Sequence, residues 1–164
     1  MSDMRSHTVT WDASAMPAQT GARGGLEMMQ ESIDRGARRS PISALMDFRL
    51  VKVEPGLAVL ECLPGEQHTN PIGVVHGGFA ATVLDAALWS AVNTTIEAGS
   101  LHTTLELKVN YLRAITAAAG PMTCEARVLS RGRRVALAEA KLFGADGTLH
   151  AHGTSTLMIM ARAA

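Results

Sequence analysis

The stretch Asn70-Pro-Ile-Gly73-Val-Val-His76-Gly77-Gly78 runs into Phe79-Ala-Ala-Thr-Val-Leu-Asp85-Ala-Ala-Leu-Trp89. A carboxamide, an imidazole, two adjacent glycines and a carboxylate thus lie close together in the chain. A turn rich in Pro and Gly leads into a long apolar segment whose one carboxylate is Asp85. Read as a helix, that segment is apolar almost all the way round, which means burial inside a protein. An ionisable group there is costly unless it has a partner or a task. Two readings of Asp85 stand: a buried carboxylate that pairs or caps, and a working one. Gly77 and Gly78 let a tight loop enter the helix without a Cβ clash. First-turn N–H groups lack intrahelical partners and sit at the positive end of the helix dipole. They can polarise an oxygen as it gains charge, at about 3 kcal/mol for one such donor.

Other chemistry-bearing residues carry plainer readings beside functional ones. Asn70 stands beside Pro71, where a turn residue is expected. Thr104 lies on an alternating strand that equally allows a surface threonine. His150-x-His152 puts two imidazoles on one strand face, but neither these nor His102 has an evident third ligand, so solvated histidines are expected and no metal. Arg131, Arg133 and Arg134 cluster at a turn, as solvated cations or as a grip for phosphate, with which guanidinium pairs bidentately.

These residues need elements to hold them. The 164 residues suffice for one domain with a real core. Lys+Arg and Asp+Glu balance at 15 each, so no broad field draws nucleic acid or anionic lipid. Cys62 and Cys124 make no metal-type spacing, and reduced thiols are expected. No signal peptide is visible, and the segment from Phe79 to Ile96 is too interrupted to span a bilayer. A cytoplasmic protein is expected. Residues 1–24 read as a partly flexible arm in which Trp11 is expected to dock on the domain or a neighbour, and residues 25–164 as the domain.

Leu26, Met29 and Ile33 fall at helical spacings that Gly36 ends, and Ser40-Pro41 opens a short turn of helix. Phe48 to Val53 and Leu57 to Leu63 predict a hairpin about Glu54-Pro55-Gly56. The buried helix follows, closed in the region of Gly99. Thr103, Leu105, Leu107, Val109 and Tyr111 alternate with polar residues, predicting a half-buried strand. Strands from Met122 to Leu129, Val135 to Phe143 and Leu149 to Met160 complete the chain, with Ser130-Arg131-Gly132-Arg133 and Asp146-Gly147 as turns. The inventory is an α+β domain: a mainly antiparallel sheet wrapped around one long central helix, preceded by a helical extension. A single sheet leaves one helix flank uncovered, which favours oligomerisation.

Asn70-x-x-Gly73-x-x-His76-Gly77-Gly78, with Asp85 nine residues after the His, resembles the signature of the hotdog-fold thioesterases of the PaaI-like group. Gly25-Leu26-Glu27, Pro41-Ile42, Thr104-x-Glu106-Leu107-Lys108-Val109-Asn110-Tyr111 and Gly132-Arg133-Arg134 extend the likeness over roughly residues 24 to 160. The resemblance implies a hotdog fold, homodimers often paired into tetramers, and active sites at the dimer interface built from both subunits. It implies hydrolysis of an acyl thioester, most often of coenzyme A, with no metal or redox cofactor. Asp85 would act as general base on water or as nucleophile. The oxyanion donor falls at the Gly77 N–H, and Gly78 beside it would help bind the substrate. Asn70 would orient the carbonyl or the attacking water, Thr104 would position water, and His76 would brace the loop. Arg131, Arg133 and Arg134 become candidates for the coenzyme A phosphates. A hotdog dehydratase or hydratase using His76 with Asp85, and a non-enzymatic acyl-CoA-binding regulator, are the rival readings. Acyl preference is not legible.

Overall fold

The computed structural model describes residues 3–11, 23–36 and 40–161. Helix α1 (Gly25–Asp34) and the short α2 (Pro41–Leu45) precede a hairpin of β1 (Phe48–Glu54) and β2 (Leu57–Cys62). A 3-10 turn at Glu66–His68 and a loop lead to α3 (Gly77–Asn93), and β3 (Ser100–Tyr111), β4 (Met122–Arg131), β5 (Val135–Phe143) and β6 (Leu149–Ala161) follow. The six strands form one sheet in the order β1-β2-β4-β5-β6-β3, every pairing antiparallel. This is the expected α+β hotdog arrangement.

The sheet wraps α3 because α3 offers apolar side chains in several directions. Phe79, Val83, Leu84, Leu88 and Val92 are buried to 2% exposure or less. They meet Leu60, Met122, Leu142 and Leu157 from the strands, and small residues such as Ala126, Ala138 and Ala140 let the sheet approach closely. Ala81, Thr82, Asp85, Ala86, Trp89 and Asn93 are only half-buried, and they mark the flank the sheet leaves open. β3 is an edge strand, paired only with β6.

The ends of α3 differ from expectation for local reasons. His76 caps the helix from outside, so it begins at Gly77 rather than Phe79. It stops at Asn93, short of Ile96, because two threonines bond back: Thr94 Oγ1 donates to Ala91 O at 2.6 Å and Thr95 Oγ1 to Val92 O at 2.7 Å. Thr94 Oγ1 also accepts from Gly56 N at 2.7 Å, which ties the helix end to the β1–β2 turn. α1 docks beside it through Gly25 N to Ile96 O at 2.8 Å.

The register of β3 corrects the alternation read from its sequence. Leu105 is an extra residue, a bulge between the pairs Thr104↔Leu157 and Glu106↔Thr156. Before it, His102 and Thr104 face α3; after it, Leu107 and Val109 do. Leu105 is 55% exposed and Thr103 is exposed too, so neither belongs to the buried row. β4 runs on to Arg131, which moves the next turn to residues 132–134. Trp11 stays 56% exposed, so its indole is not packed on its own domain. Cys62 and Cys124 are free and buried; desolvation pushes the Cys62 thiol up to about 12 and Cys124 well above the ordinary range. Among the described residues no helix is long and apolar enough to cross a membrane.

Candidate active site

The loop before α3 is built by its own polar groups. Asn70 Oδ1 accepts from Ile72 N at 3.1 Å and from Val74 N at 3.3 Å, and Gly73 takes the positive φ of +83° that closes the turn. The plain reading of Asn70 as a turn residue therefore holds. Its oxygen is engaged in the loop, and the group it can offer a ligand is the amide nitrogen. His68, buried at 9%, anchors the loop from below: Nδ1 accepts from Gly65 N at 3.0 Å, Nε2 lies 3.3 Å from Leu45 O, and the ring tilts against Phe79. His68 is a site residue that the sequence does not mark. Its spacing from His76, whose N–H donates to His68 O at 2.8 Å, carries no pattern that would reveal it.

His76 then opens the helix. Its Nδ1 accepts from Gly78 N at 2.9 Å, and its carbonyl accepts from Phe79 N at 2.9 Å. An imidazole accepting at Nδ1 carries its proton on Nε2 when neutral, so neither nitrogen has a lone pair left to act as base. His76 thus caps α3 and ties the loop to its first turn. The Gly77 N–H makes no hydrogen bond to the described residues, and it is the first-turn donor left open. Tyr111 lies against it, donating from its hydroxyl to Gly77 O at 3.1 Å. A cleft of about 290 Å³ opens here, with Asn70, His76, Gly77, Tyr111 and Arg113 among its walls.

A second group forms farther along α3. Thr104 Oγ1 donates to Asp85 Oδ1 at 3.1 Å, across from the β3 bulge, which fixes the carboxylate and leaves Oδ2 for chemistry. Asp85 is half-buried on the open flank rather than sealed in the core. One turn on, Trp89 stacks on His102 with ring centroids 4.5 Å apart and planes 26° apart, and His102 Nε2 lies 3.2 Å from Trp89 O. Burial pulls the His102 imidazole below its ordinary range; the bond to Trp89 opposes that shift and Arg131 adds to it. The expectation of a solvated His102 is therefore corrected, because the β3 bulge turns it inward.

His150 and His152 are also half-buried, not freely solvated. His152 Nε2 lies 3.4 Å from Glu139 Oε2, and His150 Nδ1 is buried with no partner among the described residues. No three His, Cys, Asp or Glu side chains among the described residues converge to hold a metal ion. Arg131, Arg133 and Arg134 are exposed and line a depression of about 630 Å³ with Glu97 and Ser100, beyond the C-terminal end of α3.

Within one chain the residues singled out by sequence thus fall into three groups: Asn70–His76–Gly77–Gly78, Asp85–Thr104, and the arginines. Gly77 and Asp85 are eight residues apart on one helix, about 12 Å along its axis. A thioester carbonyl cannot touch both in a single chain.

The sequence profile of the thioesterase superfamily matches residues 72–151, from the loop before α3 into β6. Human acyl-coenzyme A thioesterase 13 is 32% identical over 108 residues, which are 65% of this chain and 76% of that one. A Saccharolobus solfataricus protein, provisionally described as an esterase, is 33% identical over 119 residues, covering 73% of this chain and 83% of its own. The chain belongs to the thioesterase superfamily. The fold agrees. A thioesterase family protein from Silicibacter pomeroyi superposes with a TM-score of 0.72 at 28% identity, covering 84% of this chain and 99% of that one. The Escherichia coli PaaI protein superposes at 0.73 with 16% identity over 84% and 96%, a likeness of fold alone. The expected hotdog thioesterase domain is therefore present, and membership marks the chain as a thioesterase-family hydrolase.

Proposed function

We infer that this thioesterase-family protein hydrolyses acyl-CoA thioesters at a site shared between two copies of the chain. The observation that carries the reading is the separation of an open first-turn N–H, at Gly77, from a carboxylate held by Thr104, Asp85, on the same half-exposed helix flank. Each group is half of an acyl-transfer site, and a two-fold dimer brings the missing half from the partner. β3, with its unpaired edge beside that flank, is the natural seam.

In the proposed reaction the Gly77 N–H of one copy receives the thioester oxygen as it gains charge. Asp85 of the other, oriented by Thr104, takes a proton from water whose oxygen adds to the carbonyl carbon. The tetrahedral adduct collapses with cleavage of the C–S bond, and the CoA thiolate leaves to take up a proton. Alternatively Asp85 adds to the carbon itself and water cleaves the resulting mixed anhydride. The Asn70 amide nitrogen orients the carbonyl or the water. Arg131, Arg133 and Arg134 receive the phosphates. A backbone N–H, side chains and water are all that the proposed reaction draws on.

A thiol-release assay across short, medium, long and aromatic acyl-CoAs tests the activity, with Asp85→Asn expected to fold and to lose turnover by ~10³-fold or more. Mixing tests the architecture. Asp85→Asn and Asn70→Ala chains, each impaired alone, restore one intact site per mixed dimer when co-expressed, or about a quarter of wild-type activity on random pairing. Near-wild-type turnover in Asp85→Asn overturns the chemical assignment, and no recovery on mixing overturns the shared site.

A further inference from the structure

We propose that Tyr111 is a positioning residue for the oxyanion donor: together with His76 it clamps the Gly77–Gly78 peptide and so aims the Gly77 N–H. This rests on the thioesterase reading of the site.

The peptide between Gly77 and Gly78 is held at both of its polar ends by side chains from outside the helix. Its carbonyl oxygen accepts from the Tyr111 hydroxyl at 3.1 Å, and its N–H donates to His76 Nδ1 at 2.9 Å. The neighbouring peptide, whose N–H is the proposed donor, is held through the His76 carbonyl by Phe79 N at 2.9 Å. Two consecutive glycines have more backbone freedom than any other pair, and at a helix start few intrahelical bonds restrain them. A donor carried there would wander without external restraint. The clamp supplies that restraint at the first turn.

The same contacts explain why both positions are glycine. A Cβ on Gly78 would stand 2.9 Å from His76 Nδ1, in the place of the cap bond. A Cβ on Gly77 would stand 3.1 Å from the Tyr111 ring. Tyr111 is also 57% exposed, unusual for a ring on the concave row of its strand, and it lines the same cleft as Gly77. Here the ring rests on a glycine and the hydroxyl reaches one backbone oxygen.

Tyr111→Phe keeps the ring and removes the clamp's oxygen side. In the thiol-release assay kcat should fall by about 10- to 100-fold, the penalty of a misaimed catalytic group, with KM within twofold and Tm within about two degrees of wild type. A second readout does not depend on turnover. Hydrogen exchange of the Gly78 amide, followed by NMR, should speed by about tenfold in Tyr111→Phe while the amides of Val83 and Leu84 stay protected. Unchanged Gly78 exchange, or a kcat within twofold of wild type beside an active enzyme, overturns the clamp. Absence of thiol release from wild type with every thioester sinks the thioesterase reading instead, and the exchange measurement still decides the clamp.

Discussion

His102, half-buried and stacked on Trp89, couples folding to pH through the proton that its ring holds. Its Nε2 faces a carbonyl oxygen, which only accepts, so Nε2 carries the proton of the neutral ring. Packed on Trp89 and desolvated, the ring resists a second proton, and its folded pKa lies below the ordinary imidazole value. The unfolded chain therefore binds more protons than the folded one between the lowered value and about 6.5, and stability rises with pH through that window. Acidification from about pH 7.5 to 5.5 should lower Tm, and His102→Phe should lose part of that dependence. Thermal unfolding of both proteins across the range checks it. Parallel curves would mean that His102 is protonated without cost. The same residue shows how a local reading goes wrong: nothing in His102 itself reports that a bulge three positions on will set which way it points.

At the scale of elements, what the sequence reveals and what it hides divide by the range of the interaction. The hairpin about Glu54-Pro55-Gly56 and the strands from Val135 and Leu149 are legible because turn residues and alternation are local properties. The buried helix is legible because hydrophobicity on nearly every side admits one solution. The Leu105 bulge is not, since an extra residue in β3 is defined only against its partner β6. Thr104 meets Asp85 on α3 because the bulge turns it inward, and Tyr111 meets Gly77 from the inward row that the alternation does show.

The end of α3 is a second case. The segment reads on to Ile96, yet Thr94 ends the helix by turning its hydroxyl back to Ala91 while receiving the Gly56 N–H. Thr94→Val keeps the volume and leaves the half-buried Gly56 N–H without its acceptor. A loss of about 2 kcal/mol in unfolding free energy is expected, with thiol release at 25 °C unchanged. Urea unfolding decides. A change below about 0.5 kcal/mol would show that water replaces the lost bond.

For the whole molecule, α3 acts as the axis along which functions are spaced. In the proposed reaction its N-terminal end carries the oxyanion donor and its middle the carboxylate, and the arginine-lined depression lies past its C-terminal end. The helix is about 25 Å long, so a substrate touching the carboxylate and the arginines must be extended. An acyl-CoA is such a molecule, with a narrow pantetheine arm between thioester and phosphates. Glu97 in the same depression lowers the local positive charge, which favours recognition by directed guanidinium forks over a diffuse field. Replacing Arg133 and Arg134 together with alanine should raise KM for an acyl-CoA about tenfold, because two charge-assisted contacts to phosphate are lost. The same acyl group carried on N-acetylcysteamine has no phosphates and should show a KM within about twofold of wild type, with kcat unchanged for both. Steady-state kinetics on the paired substrates separate the outcomes. Equal KM changes for the two would place the arginines in the structure of the β4–β5 turn, and would move the phosphates to the cleft at the other end of α3, where Arg113 is the available cation.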